Sequence, residues 1–197
     1  MEINPTKHNR HSIRLKGYDY SLPGAYFITL VTYQRECKFG EIIRGEMTVN
    51  IAGQVVWDVW NSLPDRYPKI ELGEAVVMPN HFHGIIWIKP PVGVGAVHEL
   101  PQREPPQLES LQPEEVRQRR RQMLLPKVIG YFKMNTAKRI NTILDTSGLS
   151  VWQRDYFERI IRDEREFNTI CRYIHDNPLE WELDRENPRN PKTGNPG

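Results

Sequence analysis

Residues 81–88, HFHGIIWI, set the strongest limit on what this chain can fold into. The run is apolar almost throughout, short, and rich in β-branched and aromatic residues, so it reads as a buried strand. A buried strand needs partners in a sheet, and that sheet needs other elements to cover it. The same run opens on two histidines spaced by one residue. Along a strand such residues project to one face, so His81 and His83 point together, with Ile85 and Trp87 farther along that side.

The rest of the chain supplies the partners. GAYFITLVTY follows Pro23 and predicts a strand from Ala25 to Tyr33. A hairpin is expected around Arg44-Gly45, pairing Ile42-Ile43 with Met47 to Val49. Over 52–64 the period changes: Val56, Val59, Trp60 and Leu63 recur at helical spacing, and Pro64 is expected to end that helix. IELGEAVVMP gives another strand, which turns at Pro79-Asn80 into the histidine strand. A helix is predicted over 124–144, with Val128, Phe132, Ile140 and Ile143 among its apolar positions. A short strand is expected around Phe157 to Ile161, and a last helix from near Asp163 that stops before Pro178. This order suits a small α+β sandwich, helices covering an antiparallel sheet.

Six prolines fall between Lys89 and Glu115, with few large apolar residues. Such a stretch cannot offset its ordering entropy by burial, so about 89–115 reads as a flexible loop interrupting one domain over 18–183. A basic arm over 1–17 precedes that domain, and a disordered tail over 184–197 is expected to follow it. No stretch approaches the roughly 20 apolar residues of a membrane helix. The N-terminus lacks the apolar core of a signal peptide, and Cys37 and Cys171 suit reduced thiols, so a cytoplasmic protein without a membrane partner is expected. The formal net charge of +2 says little, but its distribution says more. Basic residues crowd the arm, the RQRRR run at 117–121 and the stretch from Arg154 to Arg172, which suits phosphate-rich partners or an ordinary solvated surface.

Two neutral imidazoles side by side can hold one divalent cation, although two ligands rarely suffice and others must come from elsewhere in the fold. A hydrogen-bonded histidine pair at a strand end is the plain alternative. On the last helix Phe167, Ile170, Cys171 and Ile174 form one apolar stripe, and Tyr173 and Asn177 lie four residues apart on its flank. The Asn177 carboxamide oxygen is a hard ligand suited to Mg²⁺ or Mn²⁺. Equally, Asn177 suits a helix end and Tyr173 the edge of a core.

Three segments carry a resemblance. MPNHFHG at 78–84, WQRDYFERIIRDE at 152–164 and YIHDNP at 173–178 resemble the REP-associated tyrosine transposases, of the single-tyrosine branch of the HUH endonucleases. The likeness runs from about Ser12 to Trp181 without the proline-rich loop. It implies a ferredoxin-like sandwich whose C-terminal helix carries the nucleophile. It implies that His81, His83 and Asn177 hold Mg²⁺ or Mn²⁺, and that Tyr173 attacks single-stranded DNA at a palindromic hairpin repeat. The products would be a 5′-phosphotyrosine link and a free 3′-hydroxyl. Tyr156 is the alternative nucleophile.

Phosphate contacts are expected from Arg10, Arg14 and Lys16 in the arm and from Arg154, Arg159, Arg162 and Arg165, while Trp152 is expected to stack unpaired bases. Arg117, Arg119, Arg120 and Arg121 border the loop, where they suit either a clamp on DNA or the solubility of the loop itself. Proteins of this kind work as monomers or homodimers. Two rival readings stand beside this one: a metal-dependent hydrolase that uses water, and a DNA-binding protein of the same fold without turnover. The charge distribution predicts DNA affinity that falls steeply between about 50 and 200 mM salt. Anisotropy of a labelled hairpin measures it, and a flat response would count against the basic patch.

Overall fold

The computed structural model describes residues 18–91 and 122–190. Arg10, Arg14, Lys16, most of the proline-rich loop and Arg117 to Arg121 lie outside the described residues. The chain forms β1 (Gly24–Val31), a 3-10 turn (Tyr33–Arg35), β2 (Gly40–Ile43), β3 (Glu46–Val49), α1 (Ile51–Asn61) and α2 (Leu63–Arg66). It continues through β4 (Ile70–Val77), β5 (His81–Ile88), α3 (Leu124–Ile143), β6 (Phe157–Ile161), α4 (Glu164–Asp176) and a second 3-10 turn (Trp181–Leu183).

Four strands make one sheet in the order β4-β5-β1-β6, with every neighbouring pair antiparallel. Among the long strands this is second, third, first, fourth, the ferredoxin-like arrangement of a split βαβ repeated once. β2 and β3 form a separate hairpin. Strand alternation divides the apolar residues between two faces. Tyr26, Ile28, Leu30, Phe82, Ile86 and Ile88 pack against Val56, Val59 and Trp60 of α1 and Val128, Phe132 and Ile140 of α3. On the other face Ala25, Phe27, Ile85 and Ile161 meet Ile170 and Ile174 of α4. The histidine strand is therefore covered on both sides, as its composition requires.

Local signals place the helices. The Asn50 side chain caps α1 by accepting from the Gly53 N–H at 3.0 Å. Asp163 caps α4 by accepting from the Glu166 N–H at 2.7 Å, and Glu166 reaches back to the Arg162 N–H at 2.9 Å. Pro64 differs from expectation: α1 ends earlier, at Asn61, and the proline sits in the first turn of α2, where its missing N–H costs nothing. β1 stops at Val31 rather than Tyr33, because Gln34 and Arg35 take left-handed φ angles of 55° and 57° and turn the chain away.

Two further expectations are corrected. Trp152 is no base-stacking platform: its ring is buried against Phe39 and Phe132, and its Nε1–H donates to Thr136 Oγ1 at 2.8 Å. Of the tail expected to be disordered over 184–197, residues 184–190 are packed, and 191–197 lie outside the described residues. Asp184, Glu186, Asn187 and Asn190 are buried, and the Asn187 and Asn190 amides donate to carbonyls of Trp181, Leu183 and Asp184.

At Gly84 helix α1 approaches the sheet closely. A Cβ there would lie 2.7 Å from Cη2 of the buried Trp60. Gly84→Ala should therefore lower stability by about 1–3 kcal/mol through overpacking, read as a fall in the urea midpoint. An unchanged midpoint would mean that the α1–sheet contact is looser than described.

Candidate active site

The site begins with the register of β1 and β5, which sets Val31 opposite His81 and Thr29 opposite His83. Both imidazoles lie on the face that α4 covers, with ring centroids 4.6 Å apart. Asn80 fixes the first of them. Its amide nitrogen donates to the carbonyls of Arg35, at 3.0 Å, and Glu186, at 2.6 Å. Its oxygen must then accept from His81 Nδ1–H at 2.9 Å. A neutral imidazole has one N–H, so His81 Nε2 carries a lone pair. That lone pair faces Asn177 Oδ1 at 3.3 Å.

Two acceptors aimed at each other are not a hydrogen bond. Turning the Asn177 amide over does not help, because its Nδ2 donates to Asp184 Oδ2 at 3.3 Å and a flip would set oxygen against carboxylate. A cation between the acceptors resolves the conflict.

α4 supplies the facing groups. Tyr173 and Asn177 lie one turn apart, and the Tyr173 hydroxyl lies within hydrogen-bond reach of His83 Nε2, at 3.2 Å. His83 Nδ1 bonds Thr29 Oγ1 at 2.8 Å, and its ring stacks on Phe27 at 5.3 Å between centroids. Tyr173 is 40% exposed while both histidines are buried, so the phenol is the part of the site that solvent reaches.

Burial governs the protonation states. It lowers His81 to about 4, partly offset by the nearby Asp184 carboxylate and the Asn177 side chain. Burial, with repulsion from His81, also holds His83 well below its ordinary value. Tyr173 is pushed up to about 12, first by burial and then by Asp184 and Glu186, with the Asn177 contact and Arg185 opposing. Both imidazoles are neutral at pH 7, the state a metal ligand needs.

Donor atoms of His81, His83 and Asp184 all lie within 4.8 Å of one another. Nitrogen and carboxylate donors in a buried cluster, with an amide oxygen beside them, fit a divalent cation. The four residues singled out by their spacing, His81, His83, Tyr173 and Asn177, thus come together. Asp184 was missed. Its signal was turn chemistry: Asp184 Oδ1 accepts from Glu186 N–H and Asn187 Oδ1 from Arg189 N–H, each two residues on, which orders this segment.

The other candidates lie apart. Tyr156 packs against the core beneath α1 and α3, on the opposite face from the histidines. Arg154, Arg162 and Arg165 are exposed, and Arg159 pairs with Glu166 at 2.5 Å. Arg159 shares the sheet face of Phe157 and Ile161, at the edge strand nearest the start of α4.

No family model matches the chain. A Haemophilus influenzae protein described as uncharacterized is 38% identical over 187 residues, covering 93% of this chain and 96% of its own. Among solved structures, the REP-associated tyrosine transposase bound to a REP hairpin aligns with a TM-score of 0.47 and 15% identity, over 89% of this chain and 77% of that one. Among the described residues no helix is long and apolar enough to cross a membrane.

The histidines make stability depend on pH in a defined direction. His81 titrates near 4 when folded and near 6.5 when unfolded, so the unfolded chain takes up the proton first as pH falls. Metal-free protein should lose stability between pH 6.5 and 4, by roughly 3 kcal/mol from His81, with His83 adding in the same sense. Urea unfolding across this window measures it, and His81→Gln should flatten the slope. An equally steep slope in that variant would contradict the assignment.

Proposed function

The chain belongs to the family of the Haemophilus influenzae protein, and from the site it carries we propose a metal-dependent endonuclease and strand transferase acting on single-stranded DNA at palindromic hairpin repeats. In this reading it is a transposase-like enzyme of the REP-associated tyrosine type. One observation carries the proposal. The hydroxyl of partly exposed Tyr173 sits 3.2 Å from His83 Nε2, in the same cluster where His81 Nε2 and Asn177 Oδ1 converge. A buried polar core of this kind has no packing advantage over apolar residues.

His81, His83 and Asn177 would hold Mg²⁺ or Mn²⁺, with Asp184 beside them. When bound, the cation polarises the scissile phosphate and offsets charge developing on its oxygens. Tyr173 is the nucleophile. Its oxygen bonds to phosphorus, the bond from phosphorus to O3′ breaks, and the 3′ oxygen leaves as a hydroxyl after taking a proton. The 5′-phosphate stays on the phenol as a phosphodiester, so reversal by another 3′-hydroxyl rejoins DNA without a nucleotide cofactor.

The phenol is a weak nucleophile where it stands, since burial and Asp184 hold its proton on. Its exposure gives that proton a path to solvent and the oxygen a path to substrate. Thr29 keeps the His83 ring oriented, and Asn80 does the same for His81. Tyr173 meets His83 of its own chain, which supports a site complete within one protomer. Exposed Arg162 and Arg165 at the start of α4, with Arg159 on the site's sheet face, are the groups assigned here to the DNA backbone, whereas Arg154 lies beside Lys133 of α3.

The test is a denaturing gel of protein incubated with labelled single-stranded hairpin DNA and Mn²⁺ or Mg²⁺. A shifted, protease-sensitive band should form with the native protein and with Tyr156→Phe. It should vanish with Tyr173→Phe, and fall at least about 100-fold with His83→Ala. Cleavage without any covalent band would instead favour attack by water, and tight binding with neither product would favour a DNA-binding protein without turnover.

A further inference from the structure

Asp184 follows α4 by eight residues and returns to the site through the turn at Trp181–Leu183. Both carboxylate oxygens are held: Oδ1 accepts from the Glu186 N–H at 2.6 Å and Oδ2 from Asn177 Nδ2 at 3.3 Å. Neither bond brings a cationic partner. The nearby guanidinium groups of Arg35 and Arg185 are taken by Glu186, each at 3.3 Å. Among the described residues no lysine or arginine pairs with Asp184. A buried carboxylate with no cationic partner is costly, and each of its oxygens keeps a second lone pair for another contact.

That contact is available where the histidine donors already stand. The donor atoms of His81, His83 and Asp184 lie within 4.8 Å of one another. Ligands about 2.1 Å from one ion lie about 3 Å apart when adjacent and about 4.2 Å when opposite, so the set closes on an ion with movements under about 1 Å.

We propose that Asp184 is a direct ligand of the same divalent cation as His81 and His83, so that the segment after the last helix delivers the site's one anionic ligand. The inference rests on the metal-dependent reading above and deepens it. Asn177 then has two tasks: its oxygen faces the ion and its nitrogen holds Asp184 in place. The segment from Trp181 to Asn190, tied to the body through Asn80 and Arg35, becomes coupled to the ion.

The experiment is Mn²⁺ titration of the full chain, followed by calorimetry and by electron paramagnetic resonance of the free ion. Asp184→Asn keeps an acceptor for the Glu186 N–H but should weaken Mn²⁺ binding at least about tenfold. A merely orienting carboxylate would give a similar loss, so Asp184→Cys decides between them. As a ligand the thiolate should bind Cd²⁺ near native affinity, with a thiolate-to-cadmium absorption band absent from Asp184→Asn, while Mn²⁺ stays weak. Native Mn²⁺ affinity in Asp184→Asn, or a Cys variant without that band and Cd²⁺ preference, would overturn the proposal. Either result leaves the covalent-adduct test untouched. Conversely, Asp184-dependent Mn²⁺ binding without any adduct would keep this ligand and remove the transposase-like reading.

Discussion

The rest of the structure turns on an electrostatic conflict between two buried acceptors. His81 Nε2 and Asn177 Oδ1 face each other because both are pinned from behind, one by Asn80 and the other by Asp184. Neither can rotate away without setting another pair of like dipoles together. The cost is borne by the packing of α4 on the sheet, where Ile170 and Ile174 bury against Phe27 and Ile85. Burial of those side chains, worth about 1.5–3 kcal/mol each, holds the polar groups where they would not otherwise stay. Apolar packing thus places a polar site.

The same arrangement explains the charge states. Without an ion the pocket favours neutral groups, which is why burial lowers both imidazoles and raises the phenol. Asp184 and Glu186 add negative potential at Tyr173, opposing both a phenolate and an approaching phosphate. A bound cation would relieve that opposition, and this links the metal requirement to the choice of tyrosine as nucleophile. The phenol stays unreactive until both the ion and the substrate are present.

Much of this was legible in the sequence because it depends on short periods. Residues two apart on a strand share a face, which pairs His81 with His83 from sequence alone. Residues four apart on a helix share a flank, which joined Tyr173 to Asn177. Pro178 marked the end of the last helix. Asp184 was hidden because its position depends on how the chain folds back after Pro178, and no periodicity describes an irregular return. Trp152 was misread for a related reason. A tryptophan near arginines looks like a stacking residue until α3 covers it, and the partner that identifies it as core, Thr136, is 16 residues away. Pro64 follows a rule that cuts both ways, since proline ends one helix and opens another.

The central claim is that His81, His83 and the groups beside them form one cation site within reach of the Tyr173 oxygen. Anomalous diffraction from crystals soaked in Mn²⁺ tests it most directly. The account predicts one strong peak between the two imidazoles and Asp184, with the phenol of the same chain turned toward it. Well-diffracting crystals with no manganese between those imidazoles, or with the phenol directed away from the ion, would contradict it.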